Sequence, residues 1–257
     1  MQHLNPLVYT GTAKGPFRDK NEDSIGVIER PDVKNGIDAV YAVADGLGGH
    51  ERGEVASSLA ISMLMNVFGA ENQHPGNITE DLSDFLYSTL CAISQSICDV
   101  GVTGESIHRD PFTAGMATTL TAAVLVGRNI YIGHAGDSRA YLINNEEISQ
   151  VTEDHTLVEE QIRQGVISRE QGKFLNRNVI TQALGLDKPL YPYTSCHNLS
   201  KGDTLLICSD GLHGFLDDKS ILGVMKTSGH NDTPKSLIQA ALDAGSNDNI
   251  SVVLVSF

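Results

Sequence analysis

Short runs of Val, Ile, Ala and Tyr, closed off by glycine, asparagine or charged residues, recur along the chain. They predict β-strands at about residues 7–12, 24–29, 38–44, 118–126, 129–135, 138–143, 204–209 and 250–256. Between them, apolar positions fall at helical spacing in GEVASSLAISMLMNVFG (53–69), EDLSDFLYSTLCAISQSICDV (80–100), HTLVEEQIRQG (155–165), DDKSILGVMKTSG (217–229) and TPKSLIQAALDAGS (233–246). In the last of these Thr233 is the expected N-cap, with Pro234 at the first helical position. The strands cluster around short turns such as GRN (127–129) and NNE (144–146), and the helices come in pairs. That order favours antiparallel sheets with helices packed outside, an α+β layered fold, over a regular βαβ alternation. Periodicity does not give the strand order.

Composition narrows the class. The 257 residues are 40% hydrophobic and 19% charged, an ordinary globular balance. The length suits one domain able to bury a large core without disulfides. Cys91, Cys98, Cys196 and Cys208 form no CxxC pair, and buried structural thiols are expected rather than metal ligands or bridges. With 18 basic against 32 acidic side chains the formal charge is −14, which opposes binding to nucleic acid or anionic lipid. No apolar run is long enough to span a bilayer, and the first residues lack the pattern of a secretory signal, so a cytoplasmic location is expected. So acidic a chain can bind phosphate only by acquiring positive charge locally, from placed arginines or from bound cations.

The acidic residues that stand out lie at the ends of apolar strands beside small residues. AVYAVADGLGGH (39–50) ends a strand in Asp45, and TLLICSDGLHGF (204–215) repeats the pattern with Asp210. YIGHAGDSRAYLI (131–143) carries Asp137 between two strand segments, and SNDNISVVLVSF (246–257) puts Asp248 ahead of the last strand. FRDKNEDSIGVIE (17–29) places Arg18, Glu22 and Asp23 before another. Hard cations such as Mg²⁺ and Mn²⁺ take oxygen ligands, and strand ends brought together by a sheet mount them rigidly. A lone Asp–Gly is usually a turn, and Asp248-Asn249 alone could be a cap. Four such strand ends plus an arginine-bearing segment are harder to read as turns only.

The segments RDKNED, ADGLGGH, GDSRAY, EDH, SDGL and DNIS resemble the ordered signature blocks of the type 2C (PPM, metal-dependent) serine/threonine protein phosphatases, bacterial type, from about Thr10 to the C-terminus. The resemblance implies a four-layer α-β-β-α sandwich, with two central, mainly antiparallel sheets flanked by helices, forming one catalytic domain over 1–257. It also implies two Mn²⁺ or Mg²⁺ ions and a water between them that attacks phosphorus in line. Asp45 would bridge the ions, the Gly46 carbonyl would bind one, and Asp210 and Asp248 would complete the other. Asp23 and Glu22 would hold metal-bound waters, Asp137 would help bind a third, weaker ion, and Arg18 would grip the substrate phosphate. The expected partners are phosphorylated proteins, with a bacterial serine/threonine kinase and its substrates on the opposing side, for a monomeric chain.

His50, in the GGH of the second block, is placed to protonate the leaving seryl or threonyl oxygen; capping the helix that begins near Glu51 would equally account for it. His155 is expected to end a strand and start a helix, while His134 and His213 carry no signal. A segment at about 156–181 resembles the family's flap beside the active site. It departs from the bacterial pattern at Phe174-Leu175, where His-Pro is common, and at Gln182, where arginine is frequent. A binding module that had lost catalysis, or a two-metal hydrolase acting on another ester, are the competing readings.

Overall fold

The computed structural model describes residues 6–29, 36–47, 52–69, 82–102, 115–144, 147–176 and 178–257. In chain order the elements are β1 (Leu7–Ala13), β2 (Asp23–Glu29), β3 (Ala39–Leu47), α1 (Arg52–Phe68), α2 (Leu82–Val102), β4 (Ala117–Thr118), β5 (Leu120–Val126), β6 (Asn129–Ala135) and β7 (Arg139–Asn144). They continue with β8 (Glu147–Gln150), α3 (Leu157–Arg163), α4 (Arg169–Gly172), β9 (Tyr193–Asn198), β10 (Thr204–Cys208), α5 (Asp210–His213), α6 (Asp218–Thr227), α7 (Thr233–Asp243) and β11 (Ile250–Ser256).

One sheet has the order β1-β11-β10-β7-β8, the other β2-β3-β5-β6-β9 with β4 paired to β3. Every pairing is antiparallel. The central strands are apolar on both faces because each face meets a different layer. In β3, Val40, Ala42 and Ala44 join the core under α1 and α2, while Ala39, Tyr41 and Val43 point into the core between the sheets. In β11, Val253 and Val255 face that same middle core, and Ile250, Val252 and Leu254 face α5, α6 and α7. Three apolar cores between four layers give the α-β-β-α sandwich, and strand periodicity assigns alternate residues to each. Among the described residues no helix is long and apolar enough to cross a membrane.

The departures from expectation are local. The strand expected at 118–126 breaks at Thr119 into β4 and β5, and the one expected at 38–44 runs on to Leu47. β9 reads YTSCHN, an edge strand of half-buried and exposed residues, so it lacks the apolar run that marks its neighbours. Thr233 is not the N-cap of α7. A 3-10 turn at His230–Asp232 already winds the chain, leaving Asp232 in the cap position, and the Thr233 hydroxyl donates back to the Gly229 carbonyl at 3.1 Å. The cysteines are less buried than expected: Cys208 is buried, Cys91 and Cys98 are partly so, Cys196 is exposed, and none is in a disulfide. The segment expected as one helix at 155–165 is α3 alone, capped by Thr156, whose side chain accepts from the Glu159 N–H. A turn through Gly165 and a capping box at Ser168 then open α4.

Candidate metal centre

Antiparallel pairing carries the acidic strand ends to one end of the sandwich. In one sheet the first residue of β2, Asp23, lies opposite Asp45 near the end of β3. In the other, the start of β7 (Arg139), the end of β10 (Cys208) and the early part of β11 (Val252) are in register. Asp137 just before β7, Asp210 just after β10 and Asp248 just before β11 therefore share an edge. Each of Asp23, Asp137, Asp210 and Asp248 is close enough to Asp45 to raise the energy of its charged form. The five aspartates expected from sequence come together.

Arg18 joins them, its Nη2 donating to Asp248 Oδ2 at 2.5 Å. Glu22 is buried; its N–H donates to Asn249 Oδ1 at 2.9 Å, and its carbonyl accepts from Gly46 N–H and from the Ser57 hydroxyl. His50 lies outside the described residues.

A polar scaffold that sequence reasoning missed holds these groups. Asn249 Nδ2 donates to the Lys20 carbonyl, so one side chain ties residues 20–22 to the start of β11, while its own N–H donates to Asp248 Oδ1. Ser209 donates to Asp23 Oδ2 at 2.8 Å and accepts from the Ser251 N–H, linking the two sheets. Thr119, at the break between β4 and β5, accepts the Asp45 N–H and pairs with the Ser138 hydroxyl beside Asp137. Small hydroxyls and an amide next to acidic residues read as turns in sequence, and only the strand pairing shows what they join.

The Asp137 loop is gripped from both sides. Gly136 sits at φ 117, a left-handed conformation that spares it a Cβ, which would meet Thr119 at 2.5 Å. Its N–H donates to His155 Nδ1, and its carbonyl accepts from the His155 N–H at 2.7 Å. From α5, His213 Nε2–H donates to the Asp137 carbonyl at 2.9 Å. Beneath them the Arg139 guanidinium forms a two-pronged pair with Asp154, which Gln150 also supports. His134 is fully buried, donating from Nε2 to the Glu153 carbonyl while its Nδ1 accepts the Thr121 hydroxyl. His134, His155 and His213 are thus scaffold residues. Replacing His213 with leucine is expected to lower the melting temperature of the metal-free protein by about 2–4 °C, the loss of one hydrogen bond worth about 1 kcal/mol. Glutamine, which keeps a donor, should recover most of it in the same thermal scan.

The electrostatics are those of crowded carboxylates. Burial, then mutual repulsion, raises the pKa of Asp45 well above the usual range, and burial leads the rise at Asp23, Asp137 and Asp210 as well. At Asp210 the repulsion comes chiefly from Asp248. Burial likewise raises Glu22. For Arg18 burial opposes the charge and is outweighed by Asp248, Asp45 and Glu22, so the guanidinium is held charged. Asp154 goes the other way from the cluster: Arg139 overcomes the penalty of burial and holds it below the usual range.

Among the described residues no three of these side chains are drawn into a ready-made cage. Yet Asp23 Oδ1 and Asp210 Oδ1 are buried with no hydrogen-bond partner. An unpaired buried carboxylate oxygen is costly, and a hard divalent cation, or water held by one, is the partner an all-oxygen donor set fits.

The family model described as Protein phosphatase 2C matches residues 19–248. The serine/threonine phosphatase stp of Listeria innocua is 32% identical over 247 residues, covering 95% of this chain and 93% of that protein. Among solved structures, the S. agalactiae serine/threonine phosphatase aligns with a TM-score of 0.85 at 30% identity, over 98% of this chain and 99% of that one. The catalytic domain of the phosphatase PstP in complex with two manganese ions aligns with a TM-score of 0.77 at 30% identity, over 98% and 97%. Carboxylates on converging strand ends, an arginine among them, the four-layer sandwich and these matches agree: the chain belongs to the protein phosphatase 2C family.

Proposed function

We propose that this chain is a metal-dependent serine/threonine protein phosphatase that hydrolyses phosphoserine and phosphothreonine with water as the nucleophile. The observation that carries it is the meeting of five aspartates from two sheets at one sandwich end, with two buried oxygens unpartnered, beside the cationic Arg18.

Two Mn²⁺ or Mg²⁺ ions would be held by Asp45, the Gly46 carbonyl, Asp210 and Asp248, with Asp137 contributing to a third, weaker site. Manganese is supported by its presence in the related PstP structure. When bound, such ions supply positive charge for the phosphate and a water acidified far below its bulk pKa of about 15.7. The chain's own residues do the rest. Asp23, its Oδ2 tied to Ser209, presents Oδ1 as an acceptor that orients water, and Glu22 would hold a further metal-bound water. Arg18, steered by Asp248, offers its remaining donors to the phosphate oxygens. As the water oxygen bonds to phosphorus, the bond to the seryl or threonyl oxygen breaks, and that oxygen takes a proton, for which His50 is the proposed donor. No protein nucleophile and no phosphoenzyme are involved.

The catalytic unit is the single domain 1–257, with a flap at about 156–181. Its partners are phosphoproteins, among them a bacterial serine/threonine kinase and its substrates, met as a monomer in the cytoplasm. Cysteines without disulfides fit that setting.

Release of phosphate from a phosphothreonine peptide, with chelator and with Mn²⁺, tests the reading. Release should require the metal, exceed that from a phosphodiester, and show a KM raised about tenfold or more in Arg18→Ala, from loss of a charge-assisted bond of about 1.5–3 kcal/mol. Metal-independent release, or preference for the diester, would overturn it.

A further inference from the structure

The turn that presents Arg18 also presents an aromatic ring that the described residues leave exposed. Gly15–Arg18 is a β-turn closed by the Arg18 N–H on the Gly15 carbonyl at 3.3 Å, with Pro16 and Phe17 at its two central positions. The turn is seated rather than loose. Gly15 is buried, and a Cβ there would meet the Asp248 carbonyl oxygen at 2.1 Å, so the turn backbone rests directly on the loop that carries Asp248. Pro16 fixes one backbone angle, and the Arg18–Asp248 bond pins the far end. Yet Phe17 is 83% exposed, against 41% for the Arg18 side chain beside it. Single exposed apolar residues are common. This one is distinguished by a rigid mount on the loop of a carboxylate and by lying one residue from the group that receives phosphate.

We infer that Phe17 is a specificity-determining residue that packs against an apolar side chain flanking the phosphorylated serine or threonine of the substrate. The inference rests on the phosphatase reading and names the substrate class for it. Consecutive Cα atoms are about 3.8 Å apart, so with phosphate on Arg18 the ring lies within reach of the residues about one or two positions away in an extended peptide. An aromatic face rewards apolar contact there, and a chain of charge −14 disfavours acidic neighbours.

The test uses phosphothreonine peptides that differ only in the residues on either side of the phosphothreonine, Leu, Ala or Asp, with p-nitrophenyl phosphate as the substrate that has no flanking residue. All are assayed with Mn²⁺ on the wild type and on Phe17→Ala. The wild type should favour Leu over Ala about tenfold in kcat/KM, mainly through KM, the scale of one buried side chain. In Phe17→Ala that ratio should fall close to one, and Phe17→Leu should restore much of it. An unchanged ratio in Phe17→Ala overturns the inference while leaving the phosphatase reading intact. So does a loss equal for all peptides and p-nitrophenyl phosphate, since Phe17 would then be acting through Arg18. No metal-dependent release from any substrate by the wild type would sink both.

Discussion

Asp210→Asn is expected to leave less than about one thousandth of the wild-type activity on a phosphothreonine peptide and at the same time to raise the melting temperature of the metal-free protein. The first effect follows from the chemistry proposed for the cluster. Charge stabilisation by a metal ion amounts to several kcal/mol, and each 1.36 kcal/mol of barrier is about a factor of ten. An amide cannot replace a carboxylate as an anionic ligand, so at least one ion should be lost. The second effect follows from the structure without metal. Asp210 Oδ1 is buried without a partner, and the carboxyl is pushed up by burial and by Asp248. Removing that charge should relieve about 2 kcal/mol, or about 4–8 °C in a chain of this size. Peptide hydrolysis and thermal scans in chelator read the two quantities separately. Loss of activity accompanied by a lower melting temperature would mean that Asp210 serves mainly to hold the fold.

In chelator, the protein should become less stable as pH rises from 6.5 to 8.5, and saturating Mn²⁺ should reverse that slope. Burial first, and neighbouring carboxylates second, push Asp23 up to about 7 and Asp137 up to about 8. Asp45 is raised well above its ordinary value for the same reasons. An aspartate whose folded pKa exceeds its unfolded value of about 3.9 makes the folded state bind more protons, so stability declines as pH climbs through the folded values. Other groups pull the opposite way only at lower pH. Burial lowers His134 to about 3 and His155 to about 4, so their contribution is complete above about 6.5 and fades as pH falls below it. Asp154, depressed by Arg139, contributes a constant amount above its usual range.

The window from 6.5 to 8.5 is therefore dominated by the aspartate cluster, with the buried Cys208 thiol, raised by burial, acting in the same direction near its upper end. The limit is about 1.4 kcal/mol per pH unit per proton, and a net loss of about 2 kcal/mol over the window would lower the melting temperature by about 4–8 °C. Metal binding needs deprotonated ligands, so in Mn²⁺ the stabilisation should grow with pH. A melting temperature in chelator that is flat across the window would show the carboxylates to be well solvated in solution.

The sites most legible in the sequence were those where one residue type at a strand end has few uses. Asp45, Asp137, Asp210 and Asp248 each interrupt or close an apolar run, and an acidic side chain there is either a turn or a ligand. Their meeting at one end depends on antiparallel register, which no single strand encodes: Asp23 lies opposite Asp45 only because β2 and β3 pair as they do. The supporting polar groups were less legible for the same reason. Ser209, Thr119 and Asn249 are ordinary turn residues until the partner strand is in place, and His213 has meaning only against the Asp137 carbonyl on another element.

The sequence by itself determined the layered α+β class, because strands apolar on both faces require cover on both sides, and it pointed to an all-oxygen site, because carboxylates recur at four separate strand ends while the cysteines and histidines form no ligand pattern. Tertiary structure alone decided the strand order, the convergence of five aspartates, the two oxygens left without partners and the exposure of Phe17 beside Arg18. The physical reason is range. Hydrophobic periodicity and turn chemistry act between near neighbours in the chain, whereas Arg18 meets Asp248 across 230 residues, a contact that exists only after the sheets have packed.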